Sequence, residues 1–129
     1  MVIYITSHKE KIYKFYIIRV YEETNTDHHK FDGDMTMREK KIEKKLISEA
    51  KKRGGLAVKF VSPGFDGMPD RIVLMPEGKM AFVEVKSPGK HPRPLQMARH
   101  KLLRRLGFLV FILDEESQIG GILDAVQST

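Results

Sequence analysis

Residues 71–86 constrain the fold of this chain more than any other stretch. They read as two β-prone segments, 71–75 and 80–86, on either side of Pro76-Glu77-Gly78. That tripeptide suits a three-residue hairpin loop, with proline at the first turn position and glycine where left-handed backbone is needed. In this register Met75 faces Lys79, and position i faces position 154 − i. Asp70 then lies directly across from Glu84. Side chains alternate along a strand, so Ile72, Leu74, Met80 and Phe82 share a face with Asp70, Glu84 and Lys86. Val73, Met75, Ala81, Val83 and Val85 line the other face. A hairpin apolar on both faces belongs in a covered, central sheet.

The flanking segments supply the covers. Thr36-x-x-Glu39 is a capping-box pattern, and Gly54-Gly55 is a helix stop, so a helix is expected over residues 36–53. At about 100° per residue, Ile42, Leu46, Ile47 and Ala50 form its buried stripe. Lys40, Lys41, Lys44, Lys45, Lys51 and Lys52 fall on the opposite face. Glu39 and Glu43 project along the stripe, where an unpaired carboxylate is costly. Residues 56–61 read as a strand, 62–70 as a loop, and 95–106 as a second helix with Leu95, Ala98, Leu102 and Leu106 buried. Residues 108–113 read as an apolar strand and 115–126 as a short helix. The order α-β-β-β-α-β is that of an α/β mixed sheet flanked by helices. Ahead of it, residues 2–5 and 11–21 are rich in Ile, Val, Tyr and Phe and read as strands. The polar run 22–34 reads as a linker. The expected organisation is therefore an N-terminal extension or accessory β segment over residues 1–36 and one domain over 37–129. Met35 and Met37 could each be a start codon.

Charge narrows the function classes. The net charge is +6, and it is uneven: residues 1–36 carry a net −1 and residues 37–129 a net +7. A basic surface concentrates polyanions, of which nucleic acid is the commonest; a surface serving solubility has the same composition. There is no cysteine, which excludes disulfides and thiolate metal sites. No apolar run approaches the ~20 residues that span a membrane, and no secretion signal is read at the N-terminus. A cytoplasmic setting without a membrane partner is expected.

Asp70, Glu84 and Lys86 are the residues with chemistry to do. Mg²⁺ or Mn²⁺ takes oxygen ligands, and Mg²⁺ usually binds one or two carboxylates plus waters. Two carboxylates opposed across a hairpin are within reach of one such ion. Lys86, two residues beyond Glu84, emerges on the same face and can orient water or stabilise phosphoryl charge. Glu-x-Lys alone is weak evidence, since such pairs also form salt bridges. Charges that interrupt an apolar strand opposite a Gly-x-Pro-Asp turn are more specific.

In order, Gly67-Met68-Pro69-Asp70, Phe82-Val83-Glu84-Val85-Lys86 and Gln96 resemble the virus-type replication-repair nuclease (VRR-NUC) family of the PD-(D/E)xK nuclease superfamily. The resemblance runs from about Met37 to about Leu113. It implies a restriction-endonuclease-like core and a metal-dependent DNA endonuclease. Asp70, Glu84 and the Val85 backbone carbonyl would hold one or two ions, Lys86 would position water, Glu39 would reach the site from the first helix, and Gln96 would support it from the second. It further implies branched DNA such as a Holliday junction as substrate, and a phage or bacterial-host setting. Symmetric cutting of two strands calls for a homodimer, for which the apolar segments before Glu22 are one possible surface. The alternatives are a non-catalytic DNA-binding module of the same fold, and a nuclease domain that depends on a helicase or specificity partner.

Other residues carry two readings each. Glu39 also fits as the capping-box glutamate, with Glu43 its rival as acidic ligand, and Gln96 also fits as an ordinary helix-boundary residue. Lys90, Arg93, Arg99, Arg104 and Arg105 flank the motif strand and are candidates for phosphate contacts, as are Lys59 and Arg71. The lysine face of residues 40–52 is either a DNA surface or a solvated one. His91 and His100 are read as phosphate contacts or solvated side chains, and His28-His29 as incidental.

Overall fold

The computed structural model describes residues 36–129 and the backbone of two short strands, β1 (Val2–Ile3) and β2 (Ile18–Arg19). β1 and β2 pair antiparallel, each within a stretch expected to be extended. The linker and Met35 lie outside the described residues, while Met37 is the first residue of α1.

Helix α1 (Met37–Lys52) starts at Thr36, whose Oγ1 accepts from the Glu39 backbone N–H at 3.2 Å. It ends as expected at Gly54, whose φ is 78°. Gly55 N–H reaches Ala50 O at 2.9 Å and Gly54 N–H reaches Lys51 O at 3.0 Å, the paired bonds that satisfy a helix's last carbonyls. Gly55 also has no room for a side chain, because a Cβ there would stand 2.5 Å from Leu74 O.

Strands β3 (Leu56–Lys59), β4 (Arg71–Met75), β5 (Lys79–Val85) and β6 (Val110–Leu113) form one sheet in the order β3-β4-β5-β6. β3, β4 and β5 are antiparallel neighbours, and β6 joins β5 in parallel across helix α2 (Pro94–Arg105). The β4–β5 register is the expected one: Met75 pairs with Lys79, Val73 with Ala81 and Arg71 with Val83. The turn differs in one respect. Glu77 as well as Gly78 has positive φ, at 67° and 72°. A non-glycine residue there costs roughly 1 kcal/mol, so Glu77→Gly is expected to raise unfolding stability by about 0.5–1 kcal/mol in denaturant titrations.

Both faces of the hairpin are covered. Val73, Ala81, Val83 and Val85 pack against Ile42, Leu46 and Ala50 of α1 and against Ile119, Leu123 and Val126 of helix α3 (Ile119–Gln127). On the other face Ile72 and Phe82 pack with Phe60, Leu103 and Val110, and Phe82 meets Phe60 and Phe108 edge-on with ring centroids 5.8 and 5.6 Å apart.

Helix α2 corrects an expectation. Its buried residues are Gln96, His100 and Leu103, not the stripe Leu95, Ala98, Leu102 and Leu106; Leu95 is 46% exposed and Leu106 56%. The face turned inward covers the charged end of the hairpin, so polar side chains fill it and the apolar ones are displaced outward.

Candidate active site

The loop 62–70 delivers Asp70 to the end of β4. Pro69 is fully buried, Asp70 O accepts from Phe60 N–H at 2.8 Å, and Asp70 Oδ1 accepts from Val85 N–H at 2.9 Å. These bonds put the Asp70 carboxylate beside the Glu84 position, as the 154 − i register requires. Lys86 continues β5 through a bond from its N–H to Leu113 O at 2.8 Å, and its Nζ stands 3.3 Å from Glu84 Oε1.

Glu84 is buried and flanked by two residues one turn apart on α2. Gln96 Nε2 donates to Glu84 Oε1 at 2.8 Å, while Gln96 Oε1 accepts from Arg93 N–H at the helix start. His100, with no exposed surface, has Nε2 3.9 Å from Glu84 Oε2. Among the described residues, Glu84 Oε2 and both His100 ring nitrogens are buried without a hydrogen-bond partner. Sequence reasoning gave Gln96 a supporting role, but it treated His100 as a phosphate contact or a solvated side chain. The spacing of four residues from Gln96, which puts both on one helix face, was the available signal.

Glu39 reaches the same end of the sheet. Its Oε2 accepts from Ser87 Oγ at 3.2 Å, and Ser87 Oγ also bonds Thr36 Oγ1. Ser87, which the sequence did not single out, thereby ties the loop after β5 to the start of α1. Glu43 points elsewhere. Its Oε1 accepts from Arg71 Nε at 2.7 Å, and Arg71 is only 4% exposed. Arg71 is therefore not placed to contact DNA: it shares the Val73 face of β4, under α1, where its guanidinium neutralises the carboxylate on the apolar stripe. Lys59, Lys90 and Arg93 are exposed. Arg99 is half-buried, with its guanidinium over the Phe65 ring, and Arg104 donates to Val110 O at 2.9 Å.

The electrostatics are those of acids taken out of water. Burial, and then the charge of Glu84, push Asp70 up to about 8 against an ordinary 3.8. Burial raises Glu84 as well; Lys86 opposes that rise, and the Glu39 charge adds to it. Burial lowers His100, which keeps the ring neutral. Among the described residues no three or more His, Asp or Glu side chains gather as a ready-made metal cage. Mg²⁺ does not require one, since it retains several waters. Two repelling carboxylates, one with an unpartnered buried oxygen, fit such an ion.

Three comparisons bear on this arrangement. The VRR-NUC domain profile matches residues 17–115, starting well ahead of residue 37, where the motif resemblance begins. "Putative nuclease p44" of Acyrthosiphon pisum secondary endosymbiont phage 1 is 51% identical over 90 residues, covering 70% of this chain and 96% of that protein. A solved VRR-NUC domain superposes with a TM-score of 0.65 at 30% identity, over 69% of this chain and 97% of its own. No helix among the described residues is long and apolar enough to cross a membrane.

Proposed function

The chain belongs to the VRR-NUC domain family of nucleases, and we propose that it is a Mg²⁺- or Mn²⁺-dependent DNA endonuclease whose site is Asp70, Glu84 and Lys86. The observation that carries this reading is geometric: Asp70, held by Val85 N–H at 2.9 Å, and the buried Glu84, whose Oε2 has no hydrogen-bond partner, come together at one end of the hairpin with the Lys86 ammonium 3.3 Å from Glu84 Oε1.

Asp70, Glu84 and the Val85 carbonyl would hold the ion. When bound, the ion supplies Lewis-acid stabilisation of the attacked phosphate and of the leaving 3′ oxygen. The protein's own groups do the rest. Gln96 fixes the Glu84 carboxylate in one orientation. Lys86 presents a compact charge that can orient the attacking water and offset charge gathering on phosphorus. Water adds to phosphorus and the bond to the 3′ oxygen breaks. Glu39, held by Ser87, would help to steer the water. A shallow cleft beside it, lined by Thr36, Met37, Arg38, Ser87, Pro88 and Lys90, brings two cations to where a phosphate backbone would pass.

Two substitutions separate Glu39 from Glu43. Glu39→Gln keeps an acceptor for Ser87 but loses the carboxylate charge, so melting temperature should change little while cleavage falls by at least about tenfold. Glu43→Gln weakens the hold on a buried guanidinium and should lower stability by roughly 2–3 kcal/mol, while the folded fraction still cuts DNA. Normal cleavage by Glu39→Gln would remove Glu39 from the site.

Branched DNA is the favoured substrate, on the family resemblance, and paired cuts across a junction need two sites in fixed relation, most simply in a homodimer. The N-terminal segments suggested for that contact lie outside the described side chains. Sedimentation at micromolar concentration, run beside cleavage of linear, flap and four-way DNA, should show a dimer that prefers the four-way substrate and an affinity that falls steeply with salt. A strict monomer that cuts linear duplex and spares junctions would remove the junction reading and leave the nuclease.

A further inference from the structure

The loop that delivers Asp70 also presents an aromatic ring to solvent. Phe65 is 41% exposed, yet it is not a loosely hanging side chain. Arg99 Cζ lies 3.8 Å from its ring centroid, and Arg99 Nε donates to Asp66 O at 2.8 Å. The loop itself is pressed against α2 at Gly67, whose φ is 86°; a Cβ there would stand 2.8 Å from Leu95 Cγ and 3.2 Å from Arg99 Cγ. The ring is therefore held in place from below by a guanidinium that is itself anchored to the loop backbone.

Holding an aromatic group in water has a cost, since about 25 cal/mol is forgone for each Å² of apolar surface left exposed. Nothing in the core requires it, because neither apolar cluster includes Phe65. Its location gives it a use. Five residues along the loop stands Asp70, and one turn along α2 stands Gln96, which holds Glu84. The ring thus belongs to the same loop and rests on the same helix that supply the site. Lys90 and Arg93, exposed in the segment that leads into α2, suit a phosphate backbone. A base still paired and stacked in a duplex hides its face, whereas an unpaired base offers one.

We propose that Phe65, backed by Arg99, is a stacking platform for an unpaired nucleobase of the DNA next to the cleavage site. This rests on the nuclease reading for its ligand class and adds to it the feature recognised: DNA with unpaired bases, as at a flap, a fork or the opened centre of a junction. Arg99 then acts through the ring it supports and not as a simple phosphate contact. Base–aromatic stacking contributes roughly 1–3 kcal/mol per base, or about 5- to 150-fold in affinity.

Binding measured in EDTA tests the platform separately from cleavage. Phe65→Ala should bind a single-stranded oligonucleotide, and a duplex with a single-stranded flap, at least about fivefold more weakly than wild type, with affinity for blunt duplex unchanged within about twofold. The chain contains no tryptophan, so Phe65→Trp makes a single-tryptophan reporter. Its emission should be quenched by the single-stranded oligonucleotide and little altered by blunt duplex, and its affinity should match wild type. Equal loss on both DNAs, no loss on either, or a tryptophan unaffected while the oligonucleotide binds would overturn the platform; with Mg²⁺-dependent cutting of duplex by wild type intact, the nuclease reading would stand. Failure of wild type to bind or cut any DNA would overturn both.

Discussion

Asp70→Asn is expected to abolish cleavage and, at the same time, to make the metal-free protein more stable. Asp70 is pushed up to about 8 in the folded chain against 3.8 for an ordinary aspartate. Between those values the folded state retains a proton that the unfolded state has released, so the wild-type protein without metal loses stability as pH rises through that window. Asparagine has no charge to repel Glu84, and its oxygen can still accept from Val85 N–H. The variant should therefore lack this pH slope. Near pH 8 it should be more stable than wild type by up to about 5 kcal/mol, the full linkage of a shift from 3.8 to about 8, and clearly higher in melting temperature. The difference should shrink as pH falls and vanish below about pH 3, where wild-type Asp70 is protonated in both states. Millimolar Mg²⁺ should raise the wild-type melting temperature by mass action and leave Asp70→Asn nearly unmoved. A variant less stable than wild type at all pH values would show that Asp70 is a structural carboxylate rather than a strained ligand.

Lys86→Ala is expected to lower kcat by about 10²–10³-fold, the usual loss when one preorganised group is removed from a developing charge, with the fold and DNA affinity nearly intact. Two contributions are separable. The Lys86 ammonium stands 3.3 Å from Glu84 Oε1, where it competes with a divalent ion for that carboxylate, so its loss should leave Mg²⁺ affinity undiminished while turnover falls. Lys86→Arg keeps the positive charge, but a planar fork does not replace a compact ammonium, so turnover should remain low. Calorimetric Mg²⁺ titration beside single-turnover cleavage reads the two effects independently. Wild-type turnover in Lys86→Ala would reduce the lysine to a salt-bridge partner.

The hairpin could be read from sequence because its register hangs on one turn: three residues, Pro76-Glu77-Gly78, set every pairing from Met75–Lys79 down to Arg71–Val83. Continuing that register one pair past Arg71–Val83 brings Asp70 to Glu84. Helix α1 was equally plain, because its stripe is apolar and its end is a double glycine. Helix α2 was misread because apolar periodicity assumes that the buried face is apolar. Here the buried face must meet a carboxylate, and it does so with Gln96 and His100.

Arg71 shows a different failure. Its strand parity with Val73 already put it on the α1 side, and Glu43 was already recognised as a carboxylate in need of a partner. What periodicity alone could not supply was which turn of α1 crosses which position of β4. The ion pair between them depends on tertiary packing, and so does the contact of Glu39 with Ser87.

Conversion of supercoiled plasmid DNA to nicked or linear forms, by wild type and Asp70→Asn purified side by side, with Mg²⁺ and with EDTA, tests the central claim most directly. The account predicts cleavage by wild type with Mg²⁺ alone, and none by wild type in EDTA or by Asp70→Asn under either condition. Cleavage that persists in EDTA, or that survives in Asp70→Asn, would contradict it.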